Sequence, residues 1–476
     1  MSQNYETVIG LEVHVELATA SKIFCGCSTK FGGARNAHTC PVCTGMPGTL
    51  PVLNKKVVEY AIAVGLALNC TIAKESRFDR KNYFYPDNPQ NYQISQLHEP
   101  LCRNGWVEIE TEEGMKKIGI HEIHMEEDAG KLVHDDEMGC SIVDYNRAGV
   151  PLIEIVSEPD MRTSEEVIAY LEKLRLFIQY LGASDCKLNE GSMRADVNVS
   201  VRKQGDTVLG TRTEMKNLNS FRAITHAIAH ERARQIALLE NGEVVIQETR
   251  RWDDAKECSY AMRSKEDAQD YRYFPEPDLL PLEISEAWVE TIRAAQPEFQ
   301  TQKARRYETE YGLPAYDAQV LTNTKALADF FEATTALCGK PKKVSNWLMV
   351  ETMRLLKAQE MEAHQIRFSP EHLAELIELV DTGVINSTVA KEVFEQMFAE
   401  DIAPRAYVEK NGLGMVNDER ALRMAVEQVI RENPQSVEDY KNGKERALGF
   451  LVGQTMKMTK GKANPGTIHQ ILKEML

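Results

Sequence analysis

The sequence lacks any long hydrophobic run: nowhere do about 18 apolar residues follow one another, so no membrane-spanning helix is expected. It lacks positive charge in excess. Over 476 residues the formal net charge is −16, which excludes a protein that coats nucleic acid along its whole surface and confines any such contact to a local patch. It has no G-x-x-x-x-G-K-[ST] phosphate loop and no G-x-G-x-x-G in a strand–turn–helix setting, so a nucleotide site has to be of another type. His121 and His124 stand one residue short of the H-E-x-x-H spacing, which excludes that metalloprotease motif. There is no internal repeat and no low-complexity tract. The start, MSQNYETVIG, enters strand-like sequence with neither a secretory nor a transit pattern, and a cytoplasmic location is expected.

What is present is a globular composition, 43% hydrophobic and 27% charged, in a chain long enough for two to four domains with cores of their own. Several of the ten cysteines, such as Cys70, Cys140, Cys186 and Cys338, stand isolated, as free thiols of a reducing compartment do. To about residue 290 the pattern is short alternating runs such as SIVDYNRAGVPLIEIVSE and SMRADVNVSVRK, broken by Gly, Pro and Asn. Helical periodicity is confined to stretches such as VVEYAIAVGLALN and SEEVIAYLEKLRLFIQYLG. That predicts an antiparallel-rich α+β domain. From about Ser285 the segments turn helical, among them ALADFFEATTALCG, SPEHLAELIELVDTG and NSTVAKEVFEQMFAED, several opening on a Ser, Thr or Asn N-cap and closing near Gly. DIAPRAYVEKNGLG reads as a connector, and a small all-helical unit follows from about residue 415.

The most specific local motif is the cysteine quartet. Cys25 and Cys27 form a C-x-C pair, and Cys40 and Cys43 form C-P-V-C beyond a loop carrying Gly32, Gly33 and His38. Two close thiolate pairs match tetrahedral zinc, which takes four sulfurs and would here be structural. An iron–sulfur cluster or unliganded thiols are the alternatives.

IGLEVHVEL, residues 9–17, alternates Glu12, His14 and Glu16 with apolar neighbours, which predicts a strand with one buried face. The polar face is then either solvated surface or the floor of a site. PLIEIVSEP sets Glu154 among Leu152, Ile153, Ile155 and Val156, where a carboxylate is costly unless it pairs or holds a cation. IHEIHMEEDAGK adds His121, Glu122, His124, Glu126, Glu127 and Asp128. Clustered, these strands would hold a hard cation such as Mg²⁺; the bland alternative pairs Glu154 with a basic side chain. SRFDRKNYFYPDNPQNYQIS interleaves Arg77, Arg80 and Lys81 with Tyr83, Phe84, Tyr85 and Tyr92, suited to a phosphate and a base or equally to a surface loop. GSMRADVNVSVR and TEMKNLNSFRA add Arg194, Asp196, Asn198, Glu214, Lys216, Asn217 and Asn219.

The stretches VIGLEVHVEL, FDRKNYFYPDNPQNYQIS, IHMEEDAGK, NRAGVPLIEIVSEPD, KNLNS, DYRYFPEPDLLPL, GLPAYDA and FLVGQTMKMTKGKANP run in order along essentially the whole chain. In them the sequence resembles the B subunit of the tRNA-dependent amidotransferases, which make Gln-tRNA or Asn-tRNA from mischarged Glu-tRNA(Gln) or Asp-tRNA(Asn). The resemblance implies a ligase of translation in three parts: a catalytic cradle over 1–292 with the zinc knuckle at 25–43, a helical domain over 293–405, and a helical tRNA-binding tail over 406–476. It implies a cytoplasmic heterotrimer, completed by a small C subunit together with an amidase (glutaminase) A subunit. ATP phosphorylates the side-chain carboxylate of the tRNA-borne amino acid, and ammonia released from glutamine by the amidase and led through a channel displaces the phosphate. No Ser-Ser-Lys amidase signature occurs in the chain itself.

For the residues, the resemblance implies catalytic roles and Mg²⁺ ligation for Glu12, His14, Glu127 and Glu154, with Glu12 a neighbouring or second-metal ligand, and Glu127 also at the entry of the ammonia channel. Lys81 and Glu214 are carried over as ATP contacts by motif position. Cys25, Cys27, Cys40 and Cys43 would hold structural Zn²⁺. In the tail, Lys457, Lys460 and Lys462, with Arg446 and Lys473 near them, form a locally basic stretch that would hold tRNA phosphates. Glu16 is expected to be solvated. Two other readings of the same chain are a non-catalytic tRNA-binding scaffold and a free-standing ligase using ammonia alone.

Overall fold

The structure, a computed structural model, describes residues 4–135, 137–188, 190–264, 271–415, 419–459 and 463–476. The chain divides into two compact units, Met1–Phe299 and Gln300–Leu476.

In chain order the strands of the first unit are β1 (Tyr5–Glu16), β2 (Thr71–Ile72), β3 (Glu75–Ser76), β4 (Asp79–Asn82), β5 (Tyr92–Ser95), β6 (Cys102–Thr111), β7 (Gly114–Glu127), β8 (Lys131–Asp135), β9 (Cys140–Asp144), β10 (Pro151–Ser157), β11 (Met193–Lys203), β12 (Thr213–Lys216), β13 (Glu248–Asp253), β14 (Cys258–Ser264), β15 (Phe274–Pro275) and β16 (Leu282–Glu283). Nine of them make one sheet in the order β14-β13-β12-β11-β1-β10-β7-β6-β2. Every pairing in it is antiparallel except β12 with β13. The first strand of the chain is therefore at the centre, flanked by the two strands whose sequences also alternate most cleanly.

Alternation sorts the side chains. Leu11, Val13 and Val15 of β1 are fully buried, and they share one apolar cluster with Ile153 and Ile155 of β10 and Ala195 and Val197 of β11. Helices α1 (Lys55–Ala67), α2 (Ser164–Tyr180) and α3 (Phe221–Glu240) close that cluster with Ile62, Leu171, Leu174 and Ile224. Asn54, Thr163 and Ser220 cap their first turns, each accepting a backbone N–H. With the helices on one face, the even-numbered residues of β1 are left to the other.

A small sheet, β15-β4-β5, adjoins this polar face. Its lock is Arg80, whose guanidinium donates to Glu276 at 2.6 and 2.9 Å and lies 4.1 Å from the centre of the Tyr92 ring. The Glu276 side chain is wholly buried.

The second unit is helical among its described residues and has two separate apolar cores, one built from Ala304 to Val408 and one from Leu422 to Leu472. Thr324, just ahead of ALADFFEATTALCG, opens Lys325–Cys338, and the predicted caps are in place on the next two helices: Ser369 opens Pro370–Asp381, and Asn386 opens Ser387–Glu400. Gly339 ends the first of these in the left-handed region, where glycine carries no Cβ penalty. DIAPRAYVEKNGLG is more than a connector. Pro404 starts a short helix, Pro404–Lys410, because its fixed φ suits the first helical position, and Val408 anchors it in the first of the two cores. No described helix is long and apolar enough to cross a membrane.

Removing the buried partner of Arg80 takes away two of its hydrogen bonds and leaves the guanidinium with the more exposed Asp278, at 3.0 Å. Glu276→Ala is expected to cost about 3 kcal/mol of stability, read as a lower denaturant midpoint with an unchanged slope; an unchanged midpoint would show that Arg80 finds water.

Candidate active site

The register of the central strands lines up one rung of polar residues. His124 of β7 faces Glu154 of β10, Glu154 faces His14 of β1, and His14 faces Arg194 of β11. His14 Nε2 lies 3.4 Å from Glu154 Oε2 and 3.6 Å from Glu126 Oε1, and His124 Nε2 lies 3.1 Å from Glu154 Oε2. Burial opposes the charge of Glu154, but His14 and His124 hold its carboxyl well below its usual range. Burial likewise works against a charged His14, and Glu154, Glu126 and Asp196 outweigh it to bring the imidazole up to about 9. Buried Glu126 and partly buried Glu154, converging on one imidazole, form a concentration of negative charge that a divalent cation would neutralise, and one donor atom from each of His14, Glu126 and Glu154 lies within 4.8 Å of the others. The donor set fits a hard cation.

One rung along, a second acidic group forms. Glu12 faces Asp196, and Glu214 of β12 completes a set whose oxygens also lie within 4.8 Å of one another. Glu12 accepts from Asn198 Nδ2 at 3.0 Å, and burial followed by the charges of Glu154 and Glu214 raises its pKa. Lys216 sits in this set, 3.0 Å from Glu214 Oε1 and hydrogen-bonded to Asp196. Here a lysine already supplies positive charge. Thr249 Oγ1 donates to the other Glu214 oxygen at 2.7 Å.

Glu16 is not solvated as expected. Arg147 donates to it at 2.5 Å and also binds Asp128, which in turn receives Arg194 at 3.0 Å. Arg147 lies in the NRAGVPL stretch, so that segment supplies the counter-charge at the end of β1. Burial, partly offset by Arg147, raises Glu16 to about 7, whereas the two arginines overcome burial at Asp128 and lower it.

The two consecutive acids at the end of β7 part company. Glu126 faces His14, while Glu127 turns to the opposite side of the sheet, where its Oε1 accepts from Gln90 Nε2 and from the Ile94 N–H, both at 3.0 Å. Burial raises Glu127 to about 7 against the pull of those two donors. Its surroundings there are Gly149, Cys43 and Gln90 rather than the imidazole group.

The four cysteines Cys25, Cys27, Cys40 and Cys43 come together with their sulfurs within 4.8 Å of one another, and none is in a disulfide. Lys22 is fully buried, and its Nζ donates to Cys43 Sγ at 3.4 Å and to the Tyr145 carbonyl at 3.2 Å. Hydrogen bonds from Cys25 and the Cys40 N–H, with Lys22 beside it, bring Cys43 down to about 4 against burial, which favours its thiolate. Four convergent sulfurs, one of them already paired with a cation, fit a tetrahedral metal. Asn36 and Asn146 tie the loop between the two cysteine pairs to residues 143–146 through Asn36 Nδ2 to the Val143 carbonyl, the Tyr145 N–H to Asn36 Oδ1, and Asn146 Nδ2 to the Ala34 carbonyl.

Of the basic and aromatic residues of 76–95, Arg77 is paired with Glu75 and Glu99, and Arg80 with Glu276 and Asp278. Lys81 is different. Its Nζ lies 4.9 Å from the centre of the Tyr271 ring, and although burial works against its charge, Tyr273, Glu126 and Glu154 hold it above its usual value. It therefore stands in the field of the imidazole group's carboxylates. Phe84 and Tyr85 are exposed. In the second unit Lys457 is exposed in the last turn of Glu445–Met458, with Arg446 and Lys473 also exposed; Lys460 and Lys462 lie outside the described residues.

Residues 7–290 match the GatB/GatE catalytic domain family and residues 329–476 match the GatB domain family. The chain is similar to three proteins that are each named as the B subunit of an aspartyl/glutamyl-tRNA(Asn/Gln) amidotransferase. That of Agathobacter rectalis is 71% identical over 100% of both chains, and that of Lachnoclostridium phytofermentans 67% over 99% of both. That of a Thermoanaerobacter species is 59% identical over 99% of both. The matched span from residue 7 takes in every strand of the polar rungs, and identity of this depth runs from end to end: the chain belongs to the family of aspartyl/glutamyl-tRNA(Asn/Gln) amidotransferase B subunits.

Proposed function

We propose that the chain is the subunit of a cytoplasmic, glutamine-hydrolysing, ATP-dependent carbon–nitrogen ligase that phosphorylates the side-chain carboxylate of Glu-tRNA(Gln) or Asp-tRNA(Asn) and amidates it with ammonia. The observation that carries this reading is the His14–Glu126–Glu154 group on the face of the central sheet, with Lys81 in its field. A carboxylate gives up oxide poorly, so it has to be activated first, and phosphoryl transfer between two anions depends on positive charge and positioning more than on a covalent nucleophile. Mg²⁺, held by His14, Glu126 and Glu154, would supply that charge when bound.

The chain's own groups do the rest. His124 meets the same Glu154 oxygen, Oε2, that faces His14, and so would steady the carboxylate from the far side. Lys81, kept charged, is suited to an anionic phosphoryl or carboxylate group. The Glu12–Asp196–Glu214 set, steadied by Lys216 and Thr249, would accommodate a second cation or ATP-borne metal, with Glu214 on the nucleotide side. Glu127, on the other side of the sheet, is placed to take the proton that ammonia loses, since its pKa of about 7 lets a carboxylate both accept and release a proton near neutrality. A passive scaffold has no use for two carboxylates, Glu126 and Glu154, gathered on one imidazole.

The remaining assignments follow the same reading. The cysteine quartet would hold structural Zn²⁺ with Lys22 as counter-charge. Residues 1–292 would form the cradle, 293–405 the helical domain and 406–476 the tail, whose Lys457, Lys460 and Lys462 bind tRNA phosphates. The partners are an amidase that releases ammonia and a small third subunit.

Ammonium in place of glutamine bypasses the amidase, so conversion of Glu-tRNA to Gln-tRNA by the reconstituted complex with ATP, Mg²⁺ and ammonium tests this chain directly. Glu154→Ala is expected to lose roughly 100-fold or more of that activity while retaining tRNA binding; wild-type conversion would place the chemistry in another chain of the complex. Metal analysis of the purified chain is expected to show zinc in proportion to protein, and Cys43→Ala to lower the melting temperature before any change in phosphorylation is seen. A normal melting temperature without zinc would make the quartet dispensable. Replacing Lys457, Lys460 and Lys462 by Ala is expected to raise KM for tRNA and to flatten the dependence of log affinity on log salt by about 0.7 to 0.9 for each phosphate no longer neutralised, with kcat little changed; an unaltered salt slope would leave the tail without a role in tRNA binding.

A further inference from the structure

The turn that carries Cys40 and Cys43 leans on the residue that holds Glu127. Gly45 closes this turn with its N–H on the Val42 carbonyl at 3.0 Å, beside the Thr44 N–H on the Cys40 carbonyl at 3.1 Å. Its φ is 66°, and a Cβ there would stand 3.0 Å from both Cα and Cγ of Gln90. Only glycine allows that approach in that conformation. From the other end of Gln90, Nε2 donates to Glu127 Oε1 at 3.0 Å. Two small cavities flank the contact, and both are lined by Cys43, Gln90, Glu127 and Gly149, so the Gln90–Glu127 pair forms part of the wall between them. A swing of the Glu127 side chain would join the two.

We propose that Gln90 is a positioning residue that transmits the order of the cysteine turn to Glu127, keeping this carboxylate fixed in the wall while ammonia passes it. The inference rests on the role given to Glu127 above. Among the described residues the Gln90 side chain hydrogen-bonds to Glu127 and not to His14, Glu126, Glu154 or Lys81, so on this inference amidation depends on it and phosphorylation does not. When Gln90 no longer holds Glu127, the phosphorylated carboxylate still forms, but water takes the place of ammonia and phosphate is released without amide.

The test measures phosphate release and amide formation together, in the reconstituted complex with Glu-tRNA, ATP and glutamine, for the wild type, Gln90→Leu, Gly45→Ala and Glu127→Gln, with the zinc content of each. Gln90→Leu keeps the bulk and removes the donor; Gly45→Ala pushes on Gln90 from the turn. Both are expected to retain wild-type zinc and phosphate release while amide formation falls roughly tenfold, the size expected for one hydrogen bond to a charged group, so that phosphate released per amide rises. An unchanged ratio in Gln90→Leu, with Glu127→Gln uncoupled, shows that Gln90 only packs the loop and overturns this inference alone. An unchanged ratio in Glu127→Gln overturns the role of Glu127 itself, and the inference with it. Loss of zinc from Gly45→Ala at an unchanged ratio overturns the link from the turn to Glu127.

Discussion

Everything at the proposed site depends on one register: β1 between β10 and β11, with His14 opposite both Glu154 and Arg194. Because the side-chain period of a strand is two, a slip of one residue would move Val13 and Val15 out of the core and bury Glu12, His14 and Glu16 beneath the helices. The apolar side therefore enforces the polar one. Ile153 and Ile155 sit directly beside Val15 and Val13 in the ladder, Ile123 pairs with Ile155 beyond them, and their burial against the three helices fixes which carboxylates meet. The sheet acts as a jig whose accuracy comes from its hydrophobic face.

The polar face shows how such a concentration of charge is tolerated. The carboxylates around the candidate cation position at His14 have cationic or N–H partners: Asp128 with Arg147 and Arg194, Glu16 with Arg147, Glu214 with Lys216 and, on the other side of the sheet, Glu127 with Gln90 and Ile94. Glu126 and Glu154 have imidazoles, which neutralise them only when protonated. Where a cation binds, the imidazole is needed as a neutral nitrogen donor, and the histidine protons have to leave. In this sense the group is balanced between protons and a metal, whereas the surrounding arginine pairs are permanently satisfied.

The parts of this arrangement that are legible in the sequence are those that depend on local pattern. Alternation around Glu12 and His14, an acid inside an apolar strand at Glu154, and two closely spaced cysteine pairs all report themselves within ten or so residues. The N-caps of the second unit are legible for the same reason. What is hidden needs partners distant in the chain. Glu126 and Glu127 are adjacent acids, and only the pairing of β7 with β10 shows which faces His14; the family resemblance implies Glu127 as the ligand beside Glu154, and the fold turns Glu126 there instead. The bond from Arg147 to Glu16 crosses 131 residues. Arg80 reads as a phosphate ligand in its own segment, yet it is taken by Glu276, which lies in a stretch with no marked periodicity. The helix Pro404–Lys410 escapes a sequence reading because one buried valine and a proline at its start are too little pattern for a seven-residue element.

The adjacency of Glu126 and Glu127 has a functional reading that neither acid has alone. A strand end that carries one carboxylate to each side of a sheet couples two environments through a single peptide unit, and the peptide unit that follows is held on both its polar groups: the Glu127 carbonyl accepts from Gln93 Nε2 at 2.6 Å, and the Asp128 N–H donates to the Val150 carbonyl. On the proposed reading, activation of the carboxylate takes place on one side, at His14, Glu126 and Glu154, and ammonia arrives from the other, past Glu127. The two reagents have to be kept apart until the phosphate is in place, because ammonia that waits in the open site is lost as ammonium and water that enters destroys the activated carboxylate. The end of a paired strand is a suitable barrier. It is rigid, its backbone polar groups are satisfied, and it can present opposite faces within about 3.8 Å of chain, the Cα spacing of one trans peptide. The cysteine turn then has a reason to lie where it does, far in sequence from β7 and packed on the residue that holds Glu127: it stiffens the side of the barrier on which Glu127 stands.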